Sequence, residues 1–226
     1  MMQHKLPQIP GVYGSVCSRT GGRFTISIPN VYNGSLLPLI TVLHWGGPVT
    51  PFYGRSILEG LVLPALGELE AIMVAPDCTY GAWDNQQSEN DVLELVYYLN
   101  EFYNIDLKKN LIMGYSIGGI GCWYLASRNQ EQFVGGIIMA APVANDYLTV
   151  EWHIPLFVIH SRQDEYFPFV ETAEPIAKLV DADAPVKFLP VDGATHFNTI
   201  DMIKPLKSTM PWIHEIWQDK EMNDGR

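Results

Sequence analysis

The sequence predicts an α/β protein with a mostly parallel central sheet of about eight strands and helices on both faces. Near-continuous apolar runs of strand length recur at residues 36–45, 71–76, 111–113, 133–141, 156–160 and 186–191, as expected for strands covered on both sides. Helical candidates lie between them, at about 56–66, 89–103, 117–129, 170–180 and 199–217, which is the alternation of a sheet wound on two faces. At residues 110–121, NLIMGYSIGGIG, an apolar run meets Gly114-Tyr115-Ser116-Ile117-Gly118 with no spacer. A strand that ends, turns on a serine and restarts at once as a helix holds the hydroxyl out at the strand's carboxyl end.

Taken in order, residues 12–18 and 23–29 are short segments rich in β-branched and aromatic residues, separated by Thr20-Gly21-Gly22, and read as a hairpin. Alternation in Phe24-Thr25-Ile26-Ser27-Ile28 predicts one buried face and an exposed antiparallel edge. The helix at 89–103 has the clearest period: Val92, Leu95, Val96, Leu99 and Phe102 share a face, with Glu94 and Glu101 pointing elsewhere. Ser88, three residues before Asp91, is the expected cap of its start. About a dozen residues, 141–154, connect the runs at 133–141 and 156–160, too few for a helical cap domain, so any site beneath is expected to be open.

The chain reads as a single domain over residues 1–226, with a core at about 12–217 and a polar tail at 218–226 that is expected to fray. Glycine and proline are spread rather than pooled, and nothing repeats, so no linker divides it. Twenty-five acidic against fourteen basic residues give a net charge of −11, which repels phosphate backbones and argues against nucleic acid as a partner. Cys17, Cys78 and Cys122 are odd in number and lack a C-x-x-C pair, so neither a disulfide framework nor a zinc site is indicated, and no metal or cofactor is expected. The start, MMQHKLPQIPG, has no apolar leader segment, and no run approaches the roughly 18 apolar residues of a membrane span. The expectation is a soluble, cytoplasmic protein, its oligomeric state open, a homodimer included.

G-x-S-x-G recurs by chance in Gly/Ser loops, so it acquires meaning only from its surroundings. A serine hydroxyl is a poor nucleophile near neutral pH and needs a base within hydrogen-bond reach, itself oriented by a third group. Of the six histidines, His196 is the candidate base, because Asp192-Gly193-Ala194-Thr195 is a turn-rich exit from the strand at 186–191 and leaves an imidazole on the face where Ser116 stands. His4 and His214 lie near the termini, His153 in a loop, and His160 too early if Asp164 is the acid. Asp164 follows the strand at 155–159 and projects to the same face, with the adjacent Glu165 and then Asp146 as fallbacks. Acyl transfer further needs two backbone N–H groups aimed at the developing oxyanion, each worth about 3–4 kcal/mol. One is the amide of Ile117, after the serine. The other is expected from His44-Trp45-Gly46-Gly47-Pro48, at Trp45 with Gly46 as the fallback. Trp45, Tyr115 and Trp83 are the candidate substrate-binding aromatics, with Tyr80 near Trp83.

With Ser116, Asp164 and His196 in that chain order, the sequence resembles the serine esterases of the α/β-hydrolase superfamily. It is most similar to the small cap-less phospholipase/carboxylesterase and feruloyl-esterase-like group. The resemblance covers about residues 12–217, and the segments that carry it are LPLITVLHWGG, IMVAPD, NLIMGYSIGG, FVGGIIMAAP, PLFVIHSRQDEYFP and GATHF. Such enzymes commonly have glycine where this chain has Trp45. The resemblance implies attack of Ser116 on the carbonyl of a small or exposed ester, an acyl-enzyme, and His196 and Asp164 as base and orienting acid. Thioester or amide hydrolysis on the same residues, peptidase activity, and a catalytically silent fold used as a binding module are the alternatives. Because a histidine base acts only when neutral, activity is expected to rise through about pH 6 to 7.

Overall fold

The computed structural model describes residues 6–224. Eight strands form one open sheet: β1 (Gly11–Val16), β2 (Arg23–Ile28), β3 (Leu37–Leu43), β4 (Ile72–Pro76), β5 (Ile105–Tyr115), β6 (Gly135–Met139), β7 (Leu156–Ser161) and β8 (Val186–Val191). Their order across the sheet is β1-β2-β4-β3-β5-β6-β7-β8. The β1–β2 and β2–β4 pairs are antiparallel, and every pair from β4 to β8 is parallel. The carboxyl ends of all six parallel strands, those of β3, β5, β7 and β8 among them, therefore open onto the same edge.

The helices divide between the faces by the two-residue period of the strands. Leu111, Met113 and Tyr115 of β5 pack with Ile40 and Val42 against one layer of helix. That layer begins with α1 (Arg55–Ile57), a π-type turn at Leu58–Val62 and α2 (Leu63–Leu66), and ends with α6 (Ile203–Lys207) and α7 (Met210–Asp224). Ile112 and Leu43 face the other way, onto Cys122, Trp123, Leu125 and Ala126 of α4 (Ile117–Arg128) and Ile176 and Leu179 of α5 (Phe169–Asp181). On that side α3 (Gln86–Asn100) covers the antiparallel end of the sheet, with Leu95, Val96 and Leu99 against Phe24, Ile26 and Val74.

Several boundaries differ from the sequence expectation, each for a local reason. The helix expected at 56–66 is a π-turn between two short α-segments, because Pro64 has no N–H to return to the carbonyl four residues back. The long helix expected at 199–217 is a 3-10 turn followed by α6 and α7, broken around Ser208 and Thr209 just before Pro211. The polar residues from 218 to 224 are assigned to α7, and residues 225–226 lie outside the described residues, as does His4. Thr25 and Ser27 of β2 are buried, not exposed. Their neighbours Ala75 and Met73 on β4 lie in the core under the α1–α2 layer, so β2 is covered on both faces and, of the antiparallel pair, only β1 forms an exposed edge.

Helix α3 begins three residues earlier than expected. Asn85, not Ser88, is its N-cap: the Asn85 Oδ1 accepts the Ser88 amide at 2.9 Å, while the Ser88 hydroxyl donates to the Ala82 carbonyl at 2.6 Å. No helix among the described residues is long and apolar enough to cross a membrane. Asn85→Ala is expected to lower stability by about 1 kcal/mol in urea unfolding, with no change at the strand ends, because it leaves one donor of the first turn without its acceptor.

Candidate active site

The junction of β5 and α4 sets the geometry. Ser116 sits at φ 58° and ψ −123°, a strained conformation for a residue with a side chain. Its amide donates to Met139 O of β6 at 3.0 Å and its carbonyl accepts from Gly119 and Ile120, so the turn is held from both sides. Gly114 and Gly118 are required by contact. A Cβ on Gly114 would run into the Gly118 carbonyl, and one on Gly118 into the Leu43 carbonyl of β3. The helix start is thus pressed against two strand ends.

Ser116 Oγ lies 2.9 Å from His196 Nε2, and His196 Nδ1 lies 2.9 Å from Asp164 Oδ2. All three side chains are buried. Asp164 is an acceptor only, so the proton between it and the imidazole belongs on Nδ1, and Nε2 is left to accept from the serine hydroxyl. The other Asp164 oxygen accepts the amides of Tyr166 at 2.9 Å and Phe167 at 2.7 Å, which fixes the carboxylate plane. Of the fallback acids, Glu165 binds the His196 main chain rather than its ring, its Oε2 accepting the amide at 2.8 Å, and Asp146 is exposed in the 3-10 turn Asn145–Thr149.

The neighbouring loop holds Trp45 and Gly46 beside Ser116 and Ile117 in the wall of one cleft of about 450 Å³. His44 shapes this loop from below. Its Nε2 accepts the Cys78 amide at 3.0 Å, so Nδ1 carries the hydrogen and donates to Trp45 O at 2.7 Å. Trp45 packs edge-on to Tyr115, their centroids 6.1 Å apart. Tyr115 lines the cleft with its ring, while its hydroxyl donates to the His196 carbonyl at 2.8 Å.

Trp83, expected at the rim, is instead a core residue. It is 2% exposed and donates its indole N–H to His44 O at 3.0 Å from beneath the loop. The cause is the apolar pocket under Leu43 and α4, which takes in the indole. Tyr80 is exposed but is not part of the cleft wall. Unanticipated wall residues are Gly47, Tyr166, Phe197 and Thr199. Their signal was adjacency: Tyr166 and Phe197 follow Asp164 and His196 by two and one positions and close on the imidazole at 5.0 and 5.2 Å.

His160 is a second buried imidazole behind this group. Its Nε2 donates to Phe167 O at 2.9 Å and sits 3.8 Å from Asp164 Oδ2. Burial lowers the pKa of His160, against smaller opposing effects of the Phe167 carbonyl and Asp164, and burial likewise lowers that of His44. Both histidines are therefore harder to protonate in the fold than in the unfolded chain.

This arrangement, a mostly parallel open sheet with a strained serine between β5 and α4, is that of the α/β-hydrolase fold. The family model of platelet-activating factor acetylhydrolase, isoform II, matches residues 82–212, more than half of the sequence, and the chain belongs to that family. Among solved structures, a thermostable esterase superposes with a TM-score of 0.74 at 20% identity over 91% of this chain, which spans 62% of that protein's length. An S-formylglutathione hydrolase from Agrobacterium tumefaciens gives a TM-score of 0.72 at 15% identity, covering 92% of this chain and 95% of the other. One from Staphylococcus aureus gives 0.71 at 15%, covering 92% and 98%. At these identities the likeness concerns the fold. No curated protein sequence matches the chain significantly.

The lowered histidine pKa values set the sign of a stability change. As pH falls below about 6.5, the unfolded chain takes up protons that the folded chain refuses, so stability is fully present above that pH and is lost below it. The melting temperature is expected to decline between about pH 6.5 and 5.5, before most carboxylates titrate; a flat melting temperature across that interval would contradict it.

Proposed function

We propose that the chain hydrolyses carboxylic esters by an acyl-enzyme route with Ser116 as nucleophile, His196 as general base and acid, and Asp164 as the group that orients and stabilises the imidazolium. The observation that carries this reading is the unbroken hydrogen-bonded line from Ser116 Oγ through His196 to Asp164, 2.9 Å at each step. As Ser116 Oγ bonds to the substrate carbonyl carbon, its proton passes to His196 Nε2, and the negative charge collects on the carbonyl oxygen. The amides of Ile117 and Trp45, or of Gly46 in place of Trp45, are the donors assigned to that oxygen, since these residues meet in the cleft wall beside Ser116. Collapse of the intermediate breaks the ester C–O bond, and His196 gives its proton to the departing alkoxide. Water then attacks the acyl-enzyme, losing a proton to His196, and Ser116 leaves with that proton as the acid is released.

Among the described residues the cleft wall contains no lysine, arginine, aspartate or glutamate, and is dominated by Trp45, Tyr115, Tyr166 and Phe197. An uncharged, apolar ester fits such a wall, because a charged group would lose water there with no partner to replace it. The short β6–β7 connection leaves the cleft open, which supports a small or exposed substrate. Any molecule reaching it meets the Trp45 side chain, bulkier than the glycine that the resemblance leads one to expect there, in the cleft wall.

Ser116→Ala is expected to lower turnover of a p-nitrophenyl acetate-type ester by at least about 10³-fold while leaving the fold intact. A fluorophosphonate probe should label the wild-type chain and not this variant. Wild-type-like turnover by Ser116→Ala removes the assignment, and a folded wild-type chain that never reacts with the probe favours a silent binding module instead.

A further inference from the structure

The loops after β7 and β8 are joined by a ladder of side chain to main chain bonds. The Ser161 hydroxyl donates to Ala194 O at 2.5 Å, the Gly193 amide donates to Gln163 Oε1 at 2.6 Å, and the His196 amide donates to Glu165 Oε2 at 2.8 Å. Alternate residues of one loop thus grip successive parts of the other, and Asp164, between two of them, takes the imidazole. On the opposite side Tyr115 donates its hydroxyl to the His196 carbonyl. Both main-chain polar groups of His196 are therefore held by side chains, one from each neighbour in the site: the residue after the acid and the residue before the serine.

A histidine on a loop has freedom in its main chain as well as its two side-chain torsions, and its ring is aligned to two partners at once only if the main chain is fixed. The Asp164 bond restrains the ring about Nδ1 but leaves the loop able to shift along it. We propose that Glu165 and Tyr115 are positioning residues that clamp the His196 main chain, so that Nε2 is presented to Ser116 in a single orientation. This rests on the acyl-enzyme reading above. The Tyr115 clamp is permanent, because burial, and then the charges of Asp164 and Glu165, push the phenol pKa upward and keep it a donor. The Glu165 clamp is exposed, so its carboxylate competes with water and contributes less.

Steady-state kinetics on a p-nitrophenyl ester test the proposal with Glu165→Ala, Glu165→Gln and Tyr115→Phe, each checked for an unchanged circular dichroism spectrum. Glu165→Ala is expected to lower kcat about 5-fold or more with KM within about 2-fold, since the ester never touches this residue. Glu165→Gln keeps an oxygen acceptor and is expected to recover most of that loss, which a general effect of the surface charge would not allow. Tyr115→Phe is expected to lower kcat by about 10-fold or more. Glu165→Ala with kcat unchanged, or Glu165→Gln no better than Glu165→Ala, overturns the clamp even if Tyr115→Phe fails to fold. Ser116→Ala run in parallel separates the two levels: if it is inactive while Glu165→Ala is unaffected, the clamp fails and the acyl-enzyme reading stands; if it stays active, both fall.

Discussion

The close approach of main chain to main chain at Gly114, Gly118 and Leu43 is the constraint from which the rest of the site follows. No side chain fits between these groups, so α4 starts against the ends of β3 and β5 rather than a few ångströms out. That proximity brings the Ile117 amide and the loop after β3 to one wall, and it forces Ser116 into a conformation that a free chain would leave at once. The strain is tolerated because the Met139 carbonyl, the first turn of α4 and the packed faces of β5 all hold the same geometry.

Around that fixed point the polar groups are ordered by what each can donate or accept. His44 and His160 are both neutral supports: each uses one ring N–H to hold a carbonyl of a site loop, Trp45 O in one case and Phe167 O in the other. Asp164 spends one oxygen on main-chain amides and the other on His196. Buried groups of this kind are tolerable only when each finds a partner, and the partners here are largely main-chain groups of the loops that carry the site.

Much of this was legible in the sequence because it is written in local patterns. The apolar runs gave the strands, and the serine motif between a run and a helix gave the turn, since both depend on residues within a few positions of one another. The pairing of Asp164 with His196 was readable because each lies a few residues beyond a run and so near a strand end. What could not be read depends on contacts between distant segments. Trp83 is an aromatic in a loop beside the site by sequence, yet the depth of the pocket beneath Leu43 decides that it goes in rather than out. Thr25 and Ser27 follow an outward-facing pattern, but a helical layer covers their face. The start of α3 turned on Asn85, whose side chain accepts the amide of Ser88 itself, the residue expected to cap the helix.

The position of β8 carries a consequence for endurance. It is the last strand of the sheet, paired on one side only, and none of its residues is fully buried. His196 leaves from its end, 80 residues along the chain from the serine it faces. The central strands have neighbours on both sides and open only when the whole fold does, whereas an edge strand detaches in smaller and more frequent fluctuations. The working lifetime of the molecule is therefore governed by its margin rather than its core: a brief release of β8 takes the imidazole away while the rest of the protein stays folded.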